Sequence, residues 1–305
     1  MKVLVATDKP FAKVAVDGIR EIIESRGFEF ALLEKYTTVE ELYEAVKDVH
    51  ALIIRSDKVT AEVMDHAPEL KIVVRAGAGY DNVDLAAASA KNIVVMNTPG
   101  QNSNAVAELA LGMMVFLARK KFNGASGTEL RGKKLGIHAF GNVGRYVAEI
   151  AKGFGMEVYA FDPFVDTADI EKAGVHAVNS VESLYDTCQY ISLHIPANEK
   201  TKKSINFELL KRLPKNATIV NTARKEVIHE EDLLKIMEER ADISYISDIT
   251  PDAKDAFETN FADRIFFTPK KAGAQTAEAN INAGLAAARQ IADYFLTGNT
   301  TFKVN

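Results

Sequence analysis

The stretch from Lys133 to Asp162 carries residue types at spacings that can hold a dinucleotide. Lys134 to Ala139 reads as a short strand with alternating apolar positions. Ala139-Phe140-Gly141-Asn142-Val143-Gly144 follows, then a helical run from Arg145 to Gly153, then a strand from Glu157 to Phe161 that ends at Asp162. Strand, glycine turn, helix, strand and acid make up a dinucleotide-binding βαβ unit. Gly141 lets the backbone approach a pyrophosphate, and Gly144 lets the helix pack closely on the strand. The turn through Asn142 and Val143 opens a helix whose unpaired N–H groups and positive dipole end suit phosphates. Asp162 lies eighteen residues after Gly144, close to the distance of about twenty expected for a ribose-binding acid. Ala139 replaces the first glycine of the pattern and requires φ below zero there. His138 reads as a structural residue facing the sheet. A glycine pattern alone also fits an ordinary strand–helix turn; the flanking strands, the apolar helix face and the terminal acid favour the nucleotide reading.

The elements that must position this unit alternate along the chain. Lys2–Ala6, Phe28–Leu33, Ala51–Ile54, Lys71–Val74 and Ile93–Met96 read as strands, with helices over 11–25, 38–47, 60–66 and 82–90 between them. After Asp162 strands are expected at 190–193, 218–221, 243–247 and 265–267, with helices over 207–213, 230–240 and 277–296. Alternation of this kind implies α/β architecture, two doubly wound parallel sheets with helices on both faces. Ligands in such sheets bind beyond the carboxyl ends of strands, where Arg55, Arg75 and the Gly77-Ala78-Gly79 turn fall. The helix from Asn102 to Arg119 is apolar nearly all round and should be buried or paired.

A length of 305 residues, with 47% hydrophobic and 26% charged residues, fits a globular protein of about two domains. A net charge of −5 gives no broad basic footprint for nucleic acid. One cysteine, Cys188, excludes an internal disulfide and fits a reducing compartment. No apolar run reaches the length of about eighteen residues expected of a membrane span. The apolar start at Met1 is too short for a signal peptide, so a cytoplasmic location is expected. No spacing of ligand residues suggests a metal site.

Several stretches together resemble the D-2-hydroxyacid dehydrogenase family, and within it the phosphoglycerate dehydrogenases. They are 75–84, Asn97-Thr98-Pro99-Gly100 to Glu108, Gly132 to Gly144, Ser192 to Pro196, Val220 to Arg224, Thr268-Pro269, and Gly273 to Ala279. The resemblance implies a catalytic domain made of residues 1–97 plus 277–305, with an NAD-binding Rossmann domain, 98–276, inserted between. It implies an active site in the cleft between them and a homodimer through the nucleotide domain, with the 102–119 helix at the contact. The polar connection after Arg119 is shorter than the arm many relatives carry. Some relatives carry an extra C-terminal amino-acid-binding regulatory domain; this chain has no room for one, so feedback by serine through such a domain is not expected.

The resemblance also implies site residues. Arg224 would grip the substrate carboxylate and polarise the C2 oxygen with two donors. The N–H groups of Gly77, Ala78 and Gly79 would meet the same carboxylate. Arg55, Ser56 and Arg75 would bind substrate, with Lys58 equally readable as a surface charge. His194, Pro196, Thr222, Ala223, Asp248 and Gly273 would join Ala139, Gly141, Asn142, Val143, Gly144 and Asp162 around NAD. The catalytic pair departs from the family: Pro269-Lys270-Lys271-Ala272-Gly273 holds no histidine. Alignment from Gly273 places Lys271 at the histidine position, and alignment from Pro269 places Lys270 there; the first is preferred. The usual glutamate is also missing, leaving Asp252 as the nearest candidate orienting acid. The expected activity is NAD-dependent oxidation of D-3-phosphoglycerate to 3-phosphohydroxypyruvate. The alternatives are a reductase of glyoxylate or hydroxypyruvate and a non-catalytic NAD-sensing protein.

Overall fold

The computed structural model describes residues 1–305. The chain divides into two units, Met1–Asn102 with Gln275–Asn305, and Ser103–Ala274. The first unit begins with β1 (Lys2–Thr7), α1 (Lys13–Glu24), β2 (Glu29–Glu34), α2 (Val39–Ala45), β3 (Ala51–Ile54), α3 (Ala61–Asp65), β4 (Ile72–Arg75), α4 (Leu85–Ala90) and β5 (Val94–Asn97). The second holds α5 (Ser103–Ala118), β6 (Lys134–His138), α6 (Asn142–Gly153), β7 (Glu157–Phe161), α7 (Thr167–Lys172), β8 (His176–Ala177), α8 (Val181–Thr187) and β9 (Tyr190–Leu193). It continues through α9 (Phe207–Leu210), β10 (Thr218–Asn221), α10 (Glu230–Glu239), β11 (Ser244–Ser247), α11 (Lys254–Phe261) and β12 (Ile265–Phe267). The last helix, α12 (Ala277–Thr297), belongs to the first unit.

The first sheet is parallel, five-stranded, and ordered β2-β1-β3-β4-β5. Every residue of β3 is buried, as continuous apolar strands covered on both faces must be. Helix α1 turns Ala15, Val16, Ile19 and Ile23 inward at helical spacing. It packs on α12 of the same unit, where bare backbone permits close approach. A Cβ on Gly284 would sit 2.9 Å from Ile19 Cδ1, and one on Gly18 would sit 2.7 Å from Leu285 Cδ2.

The second sheet has seven parallel strands in the order β12-β11-β10-β9-β6-β7-β8. The chain runs outward from β6 through β7 to β8, then crosses back to β9 beside β6. That reversal opens a ligand crevice at the carboxyl ends of β6 and β9. One core lies on each face of this sheet, around Leu184, Ile219 and Phe257 on one side and Leu135, Val147 and Ala151 on the other. Helix α5 buries Ala107, Ala110, Leu111, Met113 and Met114, while Leu109, Val115, Phe116 and Leu117 are half-buried. No helix is long and apolar enough to cross a membrane.

The sequence reading omits α7, β8, α8 and α11. Each is short with few core positions: α7 buries Ile170 alone, and α11 buries Phe257 and Phe261. It also starts α6 at Arg145, where the helix begins at Asn142, and starts α4 at 82, where Asp84 caps the helix by accepting from the Ala87 N–H at 2.9 Å.

Candidate active site

The glycine turn leaves β6 beside the end of β9, with His138 paired to Leu193. Ala139 takes φ +81°, so the expectation of a negative φ there is wrong. The turn keeps the left-handed geometry of a glycine, and the alanine bears a strain of roughly 1–2 kcal/mol. Gly144 is required by packing: a Cβ there would lie 2.4 Å from the Ala139 carbonyl oxygen and 2.9 Å from Ile137 Cγ2. Gly141 differs, because its φ is an ordinary −78° and a Cβ there would meet nothing within 4 Å. Nothing in the protein demands that glycine, whereas a bulky anion brought against the backbone would. No side chain caps α6, so the N–H groups of its first turn, including Asn142 and Val143, are left for such an anion.

Asp162 ties this turn together. Its Oδ2 accepts from the Phe140 N–H at 2.8 Å and its Oδ1 from the Phe164 N–H at 2.8 Å. A carboxylate has about four acceptor sites, so room remains for ribose hydroxyls. His138 is buried, with Nδ1 3.3 Å from the Tyr185 hydroxyl, and burial pushes its pKa down to about 4. The His194 N–H donates to the His138 carbonyl at 2.9 Å, and its Nε2 lies 2.9 Å from Ser192 Oγ. Burial pushes His194 down to about 3, so both imidazoles are neutral at pH 7. Pro196 is exposed just beyond, and its carbonyl accepts from Thr201 Oγ1. Thr222 and Ala223 are buried at the end of β10, and the Thr222 hydroxyl has no protein partner. A buried polar atom left unpaired is a place for a ligand group. These features fit a dinucleotide.

Arg224 is presented by the same turn. Asn221, fully buried, accepts from the Ala223 N–H at 3.0 Å and donates from Nδ2 to the Arg224 carbonyl at 2.9 Å. The exposed Arg224 side chain spends one donor on the Ala223 carbonyl, at 2.8 Å. A guanidinium carries five N–H donors, so most remain for an anionic ligand. Asn221 lies in a stretch that the sequence singles out, yet its buried role was not legible there. The lysine segment follows β12. Lys270 and Lys271 are exposed, while Thr268 and Gly273 beside them are buried. Asp248 is buried, with Oδ1 accepting from Thr268 Oγ1 at 2.9 Å and the Ala272 N–H at 2.7 Å, and Oδ2 accepting from the Gly273 N–H at 2.8 Å. Asp252, 78% exposed, is committed to Lys225 at 2.5 Å, and that bond raises the lysine's pKa.

In the first unit, Arg55 follows β3 and Arg75 ends β4. Arg55 Nη1 donates to the Lys9 carbonyl at 2.9 Å and the Pro10 carbonyl at 3.1 Å, and Nη2 donates to Asn280 Oδ1 at 2.7 Å. Its guanidinium also lies 5.1 Å over the Phe11 ring. Arg75 Nε donates to the Arg55 carbonyl at 3.0 Å. The Arg75 guanidinium crosses Gly77, where φ is +151° and a Cβ would fall 1.5 Å from Nη1; glycine is required there twice over. Burial lowers the pKa of both arginines, and the charge of Arg55 adds to the effect on Arg75. Both stay charged, so the fold brings two partly desolvated cations together. Beneath them Asp57 accepts from the Asp8 N–H at 2.7 Å, the Tyr36 hydroxyl at 2.6 Å and the Arg55 N–H at 3.2 Å. Asn97 Nδ2 donates to the Ala78 carbonyl at 2.6 Å, fixing the turn between Gly77 and Gly79. Ser56 and Lys58 line a pocket of about 500 Å³ with Asp8, Tyr36, Asp57 and Glu62. Its acidic lining opposes a phosphate there. Asn280, 225 residues from Arg55, and Asp57 carry no sequence signal for these roles. No group of three or more His, Cys, Asp or Glu is arranged to hold a metal ion.

Residues 107–270 match the family model for the D-isomer specific 2-hydroxyacid dehydrogenase NAD binding domain. The chain belongs to the D-isomer specific 2-hydroxyacid dehydrogenase family, and its second unit carries that family's NAD-binding domain. The structure is similar to that of NAD+-bound 3-phosphoglycerate dehydrogenase of Entamoeba histolytica, at 50% identity and a TM-score of 0.86 over 100% of this chain and 98% of that one. The sequence is 37% identical over 274 residues to D-3-phosphoglycerate dehydrogenase of Methanocaldococcus jannaschii, covering 83% of this chain and 51% of the relative. It is 34% identical to hydroxypyruvate reductase of Thermotoga maritima, covering 84% of this chain and 88% of the relative. The chain thus spans about half the length of the archaeal phosphoglycerate dehydrogenase and most of the bacterial reductase.

Proposed function

We propose that the chain is an NAD-dependent dehydrogenase that oxidises D-3-phosphoglycerate to 3-phosphohydroxypyruvate, the entry to serine synthesis, and that it works as a homodimer joined through the second unit. The observation that carries the substrate is the pair Arg55 and Arg75, held by backbone carbonyls and stripped of part of their water. Phosphoglycerate has two anionic ends. In this reading Arg55 and Arg75 take the phosphate, Arg224 takes the carboxylate, and the Gly77, Ala78 and Gly79 N–H groups are further anion donors of the first unit. Gly141, Gly144, the first turn of α6, Asp162 and the 194–196 and 222–223 segments hold NAD. When bound, the nicotinamide supplies the hydride acceptor. Arg224 polarises the C2 oxygen. Lys271, once neutral, takes the C2 hydroxyl proton, and its ammonium returns a proton to the keto oxygen in the reverse direction. Lys270 is the flanking solvated charge.

The near-complete coverage of the Thermotoga reductase favours a second reading, reduction of hydroxypyruvate or another 2-keto acid. Arg55→Ala separates the two. Loss of charge-assisted bonds to a phosphate costs about 1.5–3 kcal/mol, or roughly ten- to a hundredfold in kcat/KM. D-glycerate, lacking the phosphate, serves as the control for structural damage, since Arg55 also holds Lys9, Pro10 and Asn280. A loss confined to phosphoglycerate supports the proposal; equal losses for both substrates contradict it.

A further inference from the structure

We propose that Asp248 is the positioning residue of the lysine loop, holding it through the backbone and setting its spacing from Arg224. The proposal rests on the lysine reading above. β11 and β12 pair with Ser247 opposite Phe267, so Asp248 and Thr268 leave the sheet side by side. The Thr268 N–H donates to the Ser247 carbonyl at 3.1 Å, which anchors that start. The chain then leaves the Asp248 carboxylate at Thr268 Oγ1, at 2.9 Å, and returns to it at the Ala272 and Gly273 N–H groups, at 2.7 and 2.8 Å. Pro269, Lys270 and Lys271 form the arc between those pins.

Asp248 is itself tied to the arginine turn. Its N–H donates to the Asn221 carbonyl at 3.0 Å, and Asn221 Nδ2 donates to the Arg224 carbonyl at 2.9 Å. One chain of hydrogen bonds therefore runs from Arg224 through Asn221 and Asp248 to the lysine arc. Three of the roughly four acceptor sites on the Asp248 carboxylate are spent on that arc, and the side chain is 1% exposed. A group so committed is placed to hold protein. Gly273 belongs to the same device: a Cβ there would lie 2.9 Å from Asp248 Oδ2 and 3.2 Å from Val106 Cγ2.

The test compares Asp248→Asn, Lys271→Ala and the double variant, with D-3-phosphoglycerate and NAD as substrates. Thr268→Val, which removes one donor and leaves the carboxylate, is the milder route if Asp248→Asn fails to fold. In Asp248→Asn an amide NH₂ faces an N–H donor. Hydrogen exchange at Ala272 and Gly273 should then speed by about tenfold or more. Misplacement of the lysine should lower kcat by roughly ten- to a hundredfold, with KM for NAD changed by less than about threefold. The double variant should be no slower than Lys271→Ala, because both remove one function. Thr268→Val should shift exchange and kcat the same way by less. Unchanged exchange contradicts the proposal, as do additive losses in the double variant. Loss in KM for NAD with kcat kept would make Asp248 a nucleotide ligand instead. If Lys271→Ala retains full activity, the lysine reading falls, and exchange at Ala272 and Gly273 alone decides whether Asp248 holds the loop.

Discussion

Two loops of the second unit are each gathered by a strand-end carboxylate, and they differ in what that carboxylate has left to offer. Asp162 binds the Phe140 and Phe164 N–H groups and stays half-buried, with acceptor sites still facing outward. Asp248 binds Thr268, Ala272 and Gly273 and is 1% exposed. The first can shape a loop and still meet a ligand. The second spends most of its acceptor sites on its own loop. The difference teaches that acidic residues at equivalent strand ends can differ in burial and in how many lone pairs the protein itself uses.

The sharpest way to break this comparison is at the arc that Asp248 holds. Lys271→Ala should lower turnover by about 10²–10⁴-fold, the usual worth of a general acid–base group, and Lys270→Ala should cost much less. Reversal of those two results would move the role to Lys270. An ordinary lysine loses its proton only near pH 10.4, so oxidation should climb into the alkaline range while keto-acid reduction is efficient near neutrality. A flat pH–rate profile for oxidation between pH 7 and about 9.5 would remove a lysine base.

The half-buried acid is tested by cofactor choice. An extra phosphate beside Asp162 would cost about 1–4 kcal/mol depending on screening, so kcat/KM should favour NAD strongly over NADP. Asp162→Ala should erase most of that preference; a preference that survives the substitution points to another discriminating group. The same variant should loosen the turn at Phe140, so folding stability must be measured beside the kinetics.

Behind the glycine turn, His138 links stability to pH. Its folded pKa is about 4 against an ordinary 6.5, so the unfolded chain binds the extra proton first. Stability should be fully present above pH 6.5 and fall as pH drops toward 4, by at most about 3 kcal/mol from this group. His138→Gln should flatten that slope in a series of thermal melts, leaving the His194 contribution. An unchanged slope would place the titration elsewhere.

The two glycines of the turn give the smallest and cleanest contrast. Gly144→Ala should destabilise the fold by about 1–3 kcal/mol, because its Cβ meets the Ala139 carbonyl. Gly141→Ala meets no atom within 4 Å and should leave the melting temperature nearly unchanged while weakening NAD binding. Equal effects of both on stability would mean that Gly141 is structural.

What was legible in the sequence follows from how local each feature is. The βαβ unit lies within some thirty residues, and its glycines, helix face and acid carry their meaning in their spacing. Strands such as Ala51–Ile54 and Thr218–Asn221 announced themselves as short apolar runs. The positive φ of Ala139 was not legible, because surrounding packing overrode the residue's own preference. The supports of the site were hidden for another reason. Asn280 reaches Arg55 across 225 positions, and Asp248 meets its loop 20 to 25 positions on, contacts that only the folded chain creates. Asp252 was the nearest acid in sequence, and in space it belongs to Lys225.

The central claim is that this chain oxidises D-3-phosphoglycerate with NAD. The direct measurement is kcat/KM for the purified chain with D-3-phosphoglycerate, D-glycerate, 3-phosphohydroxypyruvate, hydroxypyruvate and glyoxylate, each with its matching form of the cofactor. The account predicts that phosphoglycerate exceeds D-glycerate by at least about tenfold, the worth of one charged hydrogen bond to a phosphate. It also predicts that 3-phosphohydroxypyruvate is reduced in preference to unphosphorylated hydroxypyruvate. Equal use of phosphorylated and unphosphorylated acids, or turnover of glyoxylate and hydroxypyruvate alone, would contradict it.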